Sequence, residues 1–75
     1  MLEYGYYPVD EICDAMAVSE MFFNAKVLEG KVGTPFFFLG ENHFFCRDLA
    51  RFIERNRADI LHEQERMRRL GKELL

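Results

Sequence analysis

Three features of this 75-residue sequence predict an α+β fold. Apolar residues recur at helical spacing over residues 9–16 and again over 19–29, with a short corner between them. Two phenylalanine runs then flank a Gly/Asn-rich turn, the pattern of a β-hairpin. From residue 47 the pattern is helical again and meets no Gly or Pro until Gly71. The expected order is helix 9–16, helix 19–29, hairpin 35–46 and a long helix 47–70.

The first helix rests on Val9, Ile12, Cys13 and Met16, which fall at i, i+3, i+4 and i+7. Pro8 suits its first turn, and Asp10, Glu11 and Asp14 suit the positive end of its dipole. Ala17-Val18 breaks the rhythm. Ser19 is a strong N-cap for a second helix, which carries Phe23 and Val27 and stops at Gly30. Two helices meeting at so tight a corner form a helix-turn-helix, whose second helix is the one presented to a partner.

Lys31-Val32-Gly33-Thr34-Pro35 reads as a loop. Phe36–Leu39 and Phe44–Cys46 then pair around Gly40-Glu41-Asn42-His43, so the hairpin becomes the wing of a winged helix-turn-helix. Five Phe in this hairpin exceed what one buried face needs. Some aromatic surface should therefore be exposed, as a binding surface or a dimer contact. The aromatic lead-in Met1–Tyr7, with Tyr4, Tyr6 and Tyr7, reads as an arm packed on the domain, with a short strand or a partner-binding arm as the alternatives.

In the last segment, Leu49, Phe52 and Ile53 should pack on the helix-turn-helix. Ile53, Ile60, Met67 and Leu74 recur every seven residues, with Asn56, Glu63 and Leu70 at the complementary positions. One apolar seam on a charged helix suggests pairing with a second chain through Ile53, Ile60, Met67, Leu70 and Leu74. A solvated helix is the simpler alternative. Residues 1–54 thus form the winged head and residues 55–75 an extended helix.

Seventy-five residues lie near the lower size at which a core sustains itself, and eight Phe help by supplying large apolar area. Net charge is −3, and it is unevenly distributed. Residues 1–50 hold three basic side chains against eight acidic, about −5, while residues 51–75 hold seven against five, about +2. Cys13 and Cys46 lack metal-ligand spacing, and with no signal peptide they read as reduced thiols of a cytoplasmic protein. No long apolar run suggests a membrane span. No phosphate loop, metalloprotease or nucleophile-elbow motif is present. An enzyme, a cofactor, a metal and a small-molecule substrate are therefore not expected.

Pro8-Val9-Asp10-Glu11-Ile12, Val18-Ser19, Phe23, Val27 and Glu29-Gly30 resemble the excisionase/MerR-like winged-helix DNA-binding family. So do Phe44, Asp48-Leu49 and Phe52, in the order and at the spacing found there. The resemblance spans roughly residues 7–54. It implies a small DNA-binding regulator of phage or mobile-element type, with Asn24, Lys26, Lys31, Arg47, Arg51 and Arg55 (and Arg57 beyond) facing DNA. Asn24 would suit adenine, and the cations would suit phosphates.

Charge points the other way. The exposed face of the second helix carries Glu20, Met21, Phe22 and Ala25, and the wing carries Glu41 where basic residues are usual. Such a head suits a protein-binding inhibitor or adaptor, engaging its partner through Glu20, Met21, Phe22, Phe37, Glu41 and Phe45. Arg47, Arg51 and Lys26 on one face would favour DNA. Phe22 joined with Phe37 or Phe45 in one patch would favour protein.

Overall fold

In the computed structural model, residues 5–74 are described, with side chains through residue 71. The chain runs β1 (Tyr6–Pro8), α1 (Val9–Met16), α2 (Glu20–Leu28), β2 (Phe36–Phe38), β3 (Glu41–Phe45), α3 (Cys46–Arg55) and α4 (Arg57–Leu74). Four helices and a three-stranded antiparallel sheet give an α+β, winged helix-turn-helix-like arrangement. The Met1–Tyr4 part of the lead-in lies outside the described residues.

α1 buries Ile12, Cys13 and Met16, three of the four positions that defined its stripe. Its end is set by Ala17, whose φ of 57° is left-handed. The Ala17 N–H donates to Asp14 O and the Val18 N–H to Cys13 O, which closes a Schellman motif. Glycine normally fills that position, so alanine holds it against steric cost. Ser19 then caps α2, its Oγ accepting from the Phe22 N–H at 3.1 Å. At the far end the Gly30 N–H donates to Val27 O and the Lys31 N–H to Lys26 O, stopping α2 at the expected glycine.

The sheet has one strand more than the hairpin alone. Order β1-β3-β2 places β3 in the centre, with Tyr6 opposite Phe45 and Phe36 opposite His43. Tyr6 and Tyr7 thus form a strand, which packs this part of the lead-in on the domain as an edge of the sheet. The hairpin turn is Leu39-Gly40, tighter than the Gly40–His43 turn expected, with φ of 51° and 82°. Both central residues at positive φ match a type I′ turn, a geometry that suits the twist of the strands.

Phe23 anchors the core. Its ring meets Phe44 of β3 at 5.2 Å and Phe52 of α3 at 6.0 Å, both edge to face. Val18, Val32, Leu49 and Ile60 complete the fully or nearly buried set. Gly33 lets the loop pass over α3: a Cβ there would sit 2.8 Å from Asp48 Cγ.

The helix expected over 47–70 is two helices. α3 ends at Arg55, Asn56 leaves helical geometry (φ −121°, ψ 28°), and α4 starts at Arg57. The Asn56 side chain donates to Phe52 O at 3.0 Å, a local bond that competes with the helical ladder. The chain then turns so that α4 lies against the α1–α2 corner. Ile60 is buried in this chain's own core, and Ile53 packs against it. The boundary drawn after residue 54 falls inside α3.

Candidate functional site

The placement of α2, the second helix of the corner, depends on α4. Glu63 accepts from the Ser19 N–H at 3.0 Å and from the Ser19 hydroxyl at 2.6 Å. Arg66 holds the same carboxylate through Nε (2.9 Å) and Nη2 (3.0 Å). Arg66, then the two Ser19 donors, pull the Glu63 carboxyl from 4.5 to about 2, against the opposing effect of burial. Gln64 adds a bond to Met16 O at 2.7 Å. Together these fix both ends of the corner.

The outward face of α2 has little positive character. Glu20, Met21, Asn24, Ala25 and Leu28 are exposed, Met21 and Leu28 at 83% and 89%. Lys26 is withdrawn: its Nζ lies 2.8 Å from Asp59 of α4 and 4.0 Å from Glu29, and 5.5 Å from the centre of the Phe22 ring. Its pKa is raised by Asp59, whose own is lowered by Lys26. Lys31 is likewise engaged, 3.0 Å from Glu29. Phe22 is half-buried, packed against the core.

Beside α2 lies a shallow cleft of about 380 Å³, lined by Ser19, Met21, Phe22, Ala25, Glu63 and Arg66. It joins an apolar wall to a guanidinium at one end. Sequence reasoning missed the contribution of Glu63 and Arg66, because both come from a segment read as an extension. The only available signal was Ser19 without a Glu or Gln three residues later, a capping box lacking its second half.

Arg47, Arg51 and Arg55 stand one helical turn apart on α3 and are exposed. Among the described residues none of them has an ion-pair partner. They do not share an element with Lys26. The basic tail is partly consumed as well: Arg68 and Arg69 both meet Glu65.

The sheet offers a second surface. Tyr6, Phe36, Phe38 and Phe45 point away from the core, together with His43 beneath them. Tyr6 lies 5.1 Å from Phe36 and 6.1 Å from Phe38, and Phe36 lies 4.9 Å from Phe45, centre to centre. At the wing tip, Phe37 and Leu39 are exposed at 73% and 83%, with Glu41 exposed next to them. Of the proposed pairing seam, Met67 is half-buried and Leu70 exposed, while the Leu74 side chain lies outside the described residues.

Cys13 and Cys46 are buried and form no disulfide with one another. Burial first, and then Glu20, Asp14 and Asp10, push the Cys13 thiol up to about 11, so it stays protonated at neutral pH. Among the described residues no cluster of three or more His, Cys, Asp or Glu could hold a metal. No helix among them is long and apolar enough to cross a membrane. No protein-family model, curated protein or solved structure matches the chain.

Proposed function

We propose that this chain is a protein-binding module, an adaptor or inhibitor, that presents α2 of a winged-helix scaffold to a protein partner. One observation carries the reading: Lys26, the cation of the presented helix, is held by Asp59 while the face around it exposes carboxylate and apolar side chains. A helix that docks on DNA gains much of its affinity by neutralising phosphates. α2 exposes Glu20 and no free cation among its described residues. Met21, Leu28 and the adjoining cleft instead suit apolar side chains of a partner, with Glu20 and Arg66 as polar rim.

A second reading rests on a separate observation. Arg47, Arg51 and Arg55 form an exposed stripe without ion-pair partners among the described residues. Together with the resemblance to excisionase/MerR-like proteins, the stripe supports a small DNA-binding regulator whose phosphate contacts lie on α3.

Fluorescence anisotropy on random duplex DNA, at low and then moderate salt, separates the two. The protein-binding reading expects no binding even at low salt. Binding that falls steeply with salt, and whose slope drops by about one when Arg51 becomes alanine, would establish the DNA reading instead.

A further inference from the structure

We propose that the outer face of the three-stranded sheet is where a second copy of this chain docks. The inference goes beyond the reading above, because it leaves α2 and its cleft free for another partner.

The face is aromatic and nearly uncharged in a chain of net charge −3. Tyr6, Phe36, Phe38 and Phe45 cover it, and among the described residues its one exposed charged side chain is Glu41, opposite Phe38 at the rim. The helices pack on the other side, where Phe44 meets Phe23. Depletion of charge together with enrichment of aromatic rings is the composition of an interface core. Other routes to self-pairing are reduced, since Ile60 is buried in the chain's own core and Ile53 packs against it.

Charge gives the pairing its direction. Glu41 opens β3 and Arg47 follows its far end, in the first turn of α3; both are exposed. Among the described residues neither has an ion-pair partner. A two-fold axis across the strands lays each sheet antiparallel on its twin. That operation carries Glu41 of one copy to the Arg47 end of the other, and does so twice. It also keeps the two Glu41 carboxylates apart. An isologous patch must be self-complementary, and an acid at one end with a base at the other satisfies that condition.

Size sets the strength. The exposed parts of the rings amount to roughly 300 Å² per copy, given about 200 Å² for a whole aromatic side chain. With rim and backbone, two copies would bury about 1,000 Å² in all, near the lower bound of specific interfaces. Dissociation in the micromolar range follows rather than a permanent dimer.

Sedimentation velocity of the full chain across that range is the test. The parent chain should pass from monomer to dimer with rising concentration. Phe38→Lys should remain monomeric with unchanged circular dichroism. Glu41→Arg should weaken the dimer by about threefold to tenfold, and adding Arg47→Glu should restore it. Leu70→Lys on α4 should pair like the parent. The charge pair keeps the proposal testable even if Phe38→Lys does not fold, since both positions are exposed. A chain monomeric throughout, a dimer indifferent to the Glu41 reversal, or one abolished by Leu70→Lys would overturn it.

Discussion

Glu63 completes the N-terminal cap of α2 from 44 residues away, accepting from both the N–H and the hydroxyl of Ser19. In an ordinary capping box the residue three places after the cap supplies that carboxylate. Phe22 occupies the place here, and its side chain packs toward the core instead. α4 therefore supplies what α2 lacks.

Glu63→Ala should destabilise the fold by about 2–3 kcal/mol, because a partly buried N–H, a hydroxyl and the Arg66 guanidinium lose their acceptor together. Urea denaturation of the variant against the parent measures the difference.

The same carboxylate makes stability depend on pH in a defined window. Its folded pKa of about 2 lies below the ordinary 4.5, so its contribution is complete above pH 4.5 and lost as pH falls toward 2. The loss by pH 2 should be about 3 kcal/mol. Denaturation midpoints taken down through this window should fall more for the parent than for Glu63→Gln, which has no proton to gain there.

Among the described residues, Ala17 and Leu39 hold left-handed backbone that glycine or asparagine would adopt more easily. Ala17→Gly and Leu39→Asn should each raise stability by about 0.5–1 kcal/mol. Thermal unfolding of the two variants and of the double variant checks both the sign and additivity. Leu39→Asn also removes an exposed apolar side chain, so it should not lower solubility.

Ending the chain after Asn56 should leave a poorly folded head. α4 contributes Ile60 to the core and Glu63 to the α2 cap. Ile60→Ala alone should cost about 2–4 kcal/mol by leaving a cavity. Loss of cooperative unfolding in the truncated chain, followed by circular dichroism, is the expected result.

Glu20→Lys should tighten non-specific DNA binding by removing a like charge from the presented face, if α2 approaches DNA at all. Lys26→Ala should change it little, because Asp59 already holds that ammonium. Affinity unaltered by Glu20→Lys would rule out docking through α2 and leave α3 as the remaining basic face.

The parts of this fold visible in the sequence are those governed by neighbours in the chain. Ile12, Cys13 and Met16 mark a buried stripe by spacing alone, Ser19 and Gly30 bound α2 by their own chemistry, and the phenylalanine runs announce strands. What stayed hidden depends on distant partners. Ile53 and Ile60 are seven apart, and on one straight helix that spacing is a seam. Asn56 bends the chain between them and turns both toward the same core. Asparagine interrupts helices weakly enough that a run of good helix formers conceals it. The site was hidden for the same reason. Asn24 and Lys26 lie on α2 and Lys31 just past it, yet no local pattern tells that Asp59 and Glu29 neutralise the two lysines.

β2 is an edge strand of three phenylalanines, followed by Leu39 and bearing no charge of its own. Unguarded edges of this kind template aggregation, most of all near the isoelectric point, about 5.3 for this chain. Pro35 before the run and Gly40-Glu41 after it confine the apolar segment to four residues, shorter than the six or so that stack into a steric zipper. The wing is sticky over a length too short to grow a fibril.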